Sequence, residues 1–257
     1  SEKIYTVNYD DIGRGFLSGC YTSLTARNFD RQYHRSCAYP NTYNEFADSF
    51  VDASPPIYLY SFTGATHSNP VRTRIASLLL ENEEGKISVV NQVFHTHDRQ
   101  QKESYVKEIL SSKFVLCPRG WSPSTYRLYE VMSLGRCPVI ISDEWIPPDD
   151  VPWNTFSITI AEKDVNMIPD TLQRFSHRWE ALGTNARKAY SDYFSAGPKY
   201  QFYLTKIMEL FESQKYLREN KLNTADKTYQ RWQSFKFKYT NEWTIAQKVA
   251  RKIKSWK

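Results

Sequence analysis

The chain has 257 residues, 40% apolar and 15% aromatic, with a formal net charge of +6 at pH 7. That length fits one large domain or two small ones around a sizeable core, and the composition excludes a disordered chain. No apolar run approaches the ~20 residues of a membrane-spanning helix. The chain carries no Asn-x-Ser/Thr sequon, which favours the cytoplasm. The Golgi lumen is the alternative if an anchor preceded Ser1.

In chain order, Tyr5 and Val7 read as a short strand, and Asp10, Asp11 and Gly13 as the turn after it. Cys20, Cys37, Cys117 and Cys137 include no CxxC and no His–Cys metal spacing. Cys20 and Cys37 are read as free thiols, with a disulfide between them as the alternative. Pro55 and Pro56 mark a hinge. Residues 57–62 form the next strand and Gly64 its tight turn. Pro70 opens a helix with Ile75, Leu78 and Leu79 on its apolar face. Arg72 and Arg74 stand in its first turns, where acids are normal, so a basic start points either to an anionic ligand, with Arg72 the stronger candidate, or to two solvated arginines. Residues 87–94 are a β-branched strand running into His95, His97 and Asp98. An HxH pair is weak evidence for a metal, and none is expected. A strand-end loop that touches a ligand is the favoured reading, because ligands gather at the carboxyl ends of parallel strands. Residues 99–111 form a polar helix.

The densest signal is 113–143, KFVLCPRGWSPSTYRLYEVMSLGRCPVIISD. Residues 113–117 are a buried strand ended by Pro118 and Gly120. Ser122, Ser124 and Thr125 are helix-starting types, and Pro123 is tolerated near a first turn. Leu128, Val131, Met132 and Leu134 mark one helical face, with Gly135 as its C-cap. Residues 138–141 are a second apolar strand, closed by Ser142 and Asp143. A helix N-terminus after such a turn is a seat for phosphate. Arg127 lies in the first turn and Glu130 three residues on, sharing a face. They are either a surface ion pair, or an arginine that forks onto a diphosphate beside a carboxylate that accepts from a ribose. The loop chemistry favours the second.

Beyond it, residues 144–152 form a proline-rich loop holding Trp145, and 155–160 a last strand. Asp143 and Glu144, at a strand's carboxyl end, either hold a ligand hydroxyl or, for Asp143, cap the following turn. Leu172, Phe175, Trp179 and Leu182 mark one amphipathic helix. Tyr190 with Phe194, and residues 204–211, mark two more. Strands alternating with helices imply an α/β chain with a doubly wound, mostly parallel sheet. It divides into a short N-terminal segment (1–56), a Rossmann-like domain (57–217) and a tail (218–257). Residues 222–257 hold nine Lys or Arg against two acids, so the basic charge belongs to the tail. Trp243, Ala246, Val249, Ala250, Ile253 and Trp256 recur there at helical spacing. This helix is expected to pack on the first domain, with peripheral contact on an anionic membrane as the alternative.

The stretch LCPRGWSPSTYRLYEVMSLGRCPVIISD resembles the nucleotide-sugar signature of the exostosin glycosyltransferases. Cys117, Pro118, Arg119, Gly120, Ser122, Pro123, Arg127, Glu130, Gly135, Pro138, Ser142 and Asp143 carry the likeness. YSFTGATHSNPVRTRI at 60–75 is similar to the turn that opens that family's donor domain. The resemblance spans roughly residues 57–160. It implies a GT-B-like fold whose N-terminal part is reduced here. It also implies inverting transfer of a pentose or hexose, xylose by a weak lean, from a UDP-sugar to a glycan or glycoprotein hydroxyl. No metal or cofactor beyond the donor is implied, and no nucleic acid. Retaining GT-B enzymes place a second glutamate where Ser122 stands, which favours inversion. By the same resemblance Gly64, Arg72, Arg119, Ser122, Ser124, Thr125, Arg127 and Glu130 would line the nucleotide, with Arg119 alternatively buttressing the loop. Arg127 would steady the leaving diphosphate and Asp143 the sugar. Asp10, Asp11, His34 and Glu45 are the proton acceptors in view, each taken singly reading rather as a turn or surface residue. Two rivals are a non-catalytic nucleotide- or sugar-binding module and a nucleic-acid-binding protein using the basic tail.

Overall fold

The alternating pattern folds into two parallel sheets. In the computed structural model the described residues are 4–9, 15, 17–40, 44, 46–47, 54–90 and 99–219, the last five by backbone alone. Three short strands, β1 (Thr6–Asn8), β2 (Gly19–Tyr21) and β3 (His34–Ser36), pair in parallel in that order.

The second sheet starts with β4 (Tyr58–Gly64). It continues through α1 (Pro70–Leu79), β5 (Gly85–Val89), α2 (Arg99–Leu110), β6 (Ser112–Pro118), α3 (Tyr126–Ser133), β7 (Cys137–Ile141) and β8 (Ile158–Thr159). Its five strands are all parallel, in the order β5-β4-β6-β7-β8. The winding direction reverses between β4 and β6, which opens a crevice at their carboxyl ends. Side chains alternate across the sheet. Phe62, Phe114, Leu116, Val139 and Ile141 face α1 and α4 (Ile168–Phe175). Val115, Cys117 and Ile140 face α2, α3 and α5 (Trp179–Ala189). Helices therefore cover both faces.

Local chemistry sets the helix ends. The Asn69 side chain accepts the Val71 N–H at 3.0 Å, and Pro70 takes the first helical position of α1. Val71, Ile75 and Leu79 are its buried stripe; Leu78, expected on that face, is exposed. The α3 helix begins at Tyr126, later than the Ser122 start allowed by the sequence, because Thr125 is extended and the Ser122 hydroxyl is drawn to the first sheet. It ends as expected on Gly135, at φ +67°: Arg136 N–H donates to the Val131 carbonyl at 3.1 Å and Gly135 N–H to Met132 at 3.0 Å.

Three elements differ from their expectations. Strand 155–160 shrinks to β8 because a 3-10 turn, Trp153–Thr155, occupies its start. The stripe from Leu172 to Leu182 is two helices, α4 and α5, parted by the 3-10 turn Ser176–Arg178. Strand 87–94 is described only as β5, since residues 91–98 lie outside the described residues.

After a π-helical turn at Tyr190–Phe194, α6 (Ala196–Glu219) returns to the first sheet. Tyr203 packs on Cys20 and Cys37, both free buried thiols. Gln214 accepts from the Tyr5 hydroxyl at 3.1 Å and donates to Ser18 at 2.8 Å. Arg35 of β3 pairs with Glu209 at 3.3 Å. No helix among the described residues is long and apolar enough to cross a membrane. The tail beyond residue 219 lies outside them.

Candidate active site

The crevice between β4 and β6 collects Thr63 and Gly64, residues 118–125, and the first turns of α3. Arg127 is 9% exposed; its Nη2 donates to the Thr63 carbonyl, and its guanidinium carbon lies 4.8 Å from the Phe62 ring centre. Gly64 makes this possible, because a Cβ there would stand 2.8 Å from Nη2. The other guanidinium groups, Nε and Nη1, are buried with no partner among the described residues. Glu130 is 8% exposed. Its Oε2 accepts from the Tyr105 hydroxyl at 2.9 Å, and its buried Oε1 has no partner among the described residues. The alternative of a surface ion pair therefore does not form. An orphaned buried donor or acceptor is destabilising by about 1–3 kcal/mol, so three of them on adjacent turns mark a place built for a polar ligand.

Charge gives that ligand its sign. Arg72 donates Nε to the Arg119 carbonyl at 2.9 Å, Nη2 to Pro118 at 3.1 Å and Nη1 to Ala65 at 3.3 Å. It ties the loop after β4 to the loop after β6. Burial, and then the like charge of Arg127, push its guanidinium down to about 9. Burial raises the Glu130 carboxyl, against the pull of the Tyr105 hydroxyl and Arg127. Arg119 reaches Glu162 at 3.8 Å, while its buried Nε has no partner among the described residues. Three guanidiniums against two carboxylates leave the crevice short of negative charge. At its floor the Thr125 side chain caps none of the first-turn N–H groups of α3. An anion with adjacent hydroxyls matches this set of donors and acceptors.

The first sheet forms the facing wall. The Ser122 hydroxyl lies 2.7 Å from Ser23 and 3.0 Å from the Tyr39 hydroxyl, and Ser23 lies 2.9 Å from Tyr39. Ser122 also accepts the Ser124 N–H at 3.2 Å. Its hydroxyl is thus a link between the sheets, not a group held out to a ligand. Tyr39 stacks on Tyr126, the first residue of α3, at 3.7 Å. Ala26 N–H donates to Glu144 at 2.9 Å, and Thr25 bridges to Trp145. The carboxyl-end loops of both sheets therefore face each other.

Two candidate site residues, His34 and Asp143, find other work. His34 is fully buried: Nδ1 accepts the Asp30 N–H at 3.0 Å and Nε2 lies 3.0 Å from the Gly15 carbonyl. With both nitrogens committed and burial holding its pKa near about 4, His34 is corrected from proton acceptor to structural histidine. Asp143 is committed to a distant loop and not to the turn that follows it: Oδ1 accepts the Glu162 N–H at 3.1 Å, and Glu162 Oε1 accepts the Asp143 N–H at 3.0 Å. Asp10, Asp11, Glu45, His95, His97 and Asp98 lie outside the described residues. Among the described residues no cluster of three His, Cys, Asp or Glu side chains is arranged to hold a metal. Sequence reasoning missed Tyr105, Ser23 and Tyr39, which meet the site only through tertiary packing. The one available signal was an aromatic beside the buried stripe Val106, Ile109, Leu110 of α2.

Comparison with known proteins adds three kinds of likeness. The model of the exostosin GT47 domain matches residues 45–175. The Arabidopsis thaliana probable glucuronoxylan glucuronosyltransferase IRX7 is 46% identical over 77 residues, 29% of this chain and 17% of that protein. The Caenorhabditis elegans exostosin-1 homolog is 35% identical over 100 residues, 38% of this chain and 26% of that one. The Arabidopsis thaliana probable beta-1,4-xylosyltransferase IRX10 is 41% identical over 64 residues, 24% of this chain and 15% of that protein. The matches thus span between 15% and 26% of these relatives' own lengths. Among solved structures, S. aureus TarM in complex with fondaparinux, alpha-GlcNAc-glycerol and UDP superposes with a TM-score of 0.44 at 15% identity, covering 75% of this chain and 43% of that one.

Proposed function

The chain belongs to the exostosin GT47 family, and from that premise we propose that it transfers a sugar from a UDP-sugar to a hydroxyl of a glycan or glycoprotein, inverting the anomeric carbon. The observation that carries this reading is the trio of buried atoms without partners among the described residues, Arg127 Nε and Nη1 with Glu130 Oε1, at the switch point of a parallel sheet. The names of the relatives, glucuronosyl- and xylosyltransferases, support the reaction class and keep xylose and glucuronic acid first among donor sugars.

In this mechanism an acceptor oxygen attacks the anomeric carbon as the bond to the β-phosphate oxygen breaks. Negative charge grows on the departing diphosphate. Arg127 meets it with the N–H groups of Nε and Nη1, helped by the α3 N-terminus and by Arg119 Nε. Glu130 Oε1 accepts from the ribose. Arg72 holds the two loops together and adds positive charge without giving up its carbonyls. The acceptor's proton goes to a base on the facing wall, for which Asp10 and Asp11 remain the candidates.

The test is UDP release across a panel of UDP-sugars and glycan acceptors, for the native chain and Arg127→Ala. One well-placed donor is worth roughly 3 kcal/mol, so Arg127→Ala should lower turnover ~100-fold. Near-normal transfer by that variant would overturn the assignment. A second reading, a nucleotide-binding module without turnover, draws support from the commitment of His34 and Asp143 elsewhere. Tight UDP binding with no release on any acceptor would favour it.

A further inference from the structure

Glu130 sits on α3, yet the group that fixes its carboxylate comes from α2. The Tyr105 hydroxyl donates to Oε2 at 2.9 Å, and the Tyr105 ring lies 5.9 Å from the Arg127 guanidinium carbon. One aromatic side chain therefore touches both ligand-facing residues. A buried carboxylate on a freely turning glutamate would aim its lone pairs in several directions, and a phenol on one oxygen restricts it to one. The remaining oxygen, Oε1, has no partner among the described residues.

We infer that Tyr105 is a positioning residue for nucleoside recognition: by holding Oε2 it presents Glu130 Oε1 to the vicinal hydroxyls of the donor's ribose. This rests on the transferase reading above and deepens it. Neighbouring residues of α2 have other duties, since Val106, Ile109 and Leu110 are buried in the core. The aromatic ring also supplies a π-face to Arg127, so that loss of the hydroxyl alone separates the two contacts.

Calorimetric titration with UDP and with 2′,3′-dideoxy-UDP tests it, on the native chain, Tyr105→Phe and Glu130→Ala. Phenylalanine keeps the ring, and an unchanged melting temperature verifies the fold. The native chain should prefer UDP over the dideoxy analogue by at least about tenfold, the size of one hydrogen bond to a charged group. Tyr105→Phe should erase most of that preference while binding the dideoxy analogue as before. In the Glu130→Ala background, Tyr105→Phe should change nothing further. If the native chain discriminates and Tyr105→Phe discriminates equally well, the inference fails and the site assignment stands. If the native chain binds UDP without discrimination, or not at all, the role of Glu130 fails and takes the inference with it.

Discussion

Arg127 occupies its place because Gly64 has no side chain. Its Nη2 lies where a Cβ on residue 64 would come within 2.8 Å, and Phe62 supports the guanidinium from below. Gly64→Ala should therefore shift the guanidinium while leaving the strand paired. Misplacing a catalytic donor by about 1 Å lowers rates by up to ~100-fold. Transfer assays beside a melting curve would show a large loss of turnover with a small loss of stability; equal activity would mean that Arg127 tolerates displacement. At this scale the sequence was informative for Arg127 and Glu130, because helical spacing alone puts them on one face. It was silent on Tyr105, which meets Glu130 from a different helix, in a register that only core packing determines. Ser122 and Asp143 were read from residue type, and each has its donor or acceptor committed within the protein. A hydroxyl or carboxylate does not announce from its neighbours in sequence which partner it will find.

Elements depend on close contacts of the same kind. The α3 and α5 helices approach so tightly that a Cβ on Gly183 would stand 2.3 Å from the Gly135 carbonyl oxygen. Gly183→Ala should push α5 off α3 and lower stability by about 1–3 kcal/mol in denaturant titrations. A neutral result would show that α5 slides freely. In β3, His34 is held neutral by burial, with its pKa lowered to about 4. The unfolded chain binds the proton near pH 6.5, so this contribution is complete above that pH and is lost as pH falls toward 4. Roughly 3 kcal/mol should disappear across the window. His34→Gln should flatten that acid limb, and an unchanged limb would place the titration elsewhere. Strands and caps with strong local signals, such as β6, β7 and the Gly135 terminus, were legible in the sequence. The break between α4 and α5 was not, because the apolar spacing from Leu172 to Leu182 continues through the 3-10 turn.

At the scale of the whole molecule, α6 returns across the first sheet and the Ser23–Tyr39–Ser122 hydroxyls join the two halves. The alternation of strands and helices was enough to read a parallel α/β chain. The three-stranded first sheet was barely visible, since strands of three residues give too little periodicity to detect. It stands as the wall facing the β4–β6 crevice on which the functional reading turns. The most direct test is a crystal structure of the chain with UDP. The account expects the diphosphate on Arg127 Nε and Nη1 at the start of α3, and the ribose hydroxyls on Glu130 Oε1. UDP bound away from that crevice, touching none of those three atoms, would contradict it.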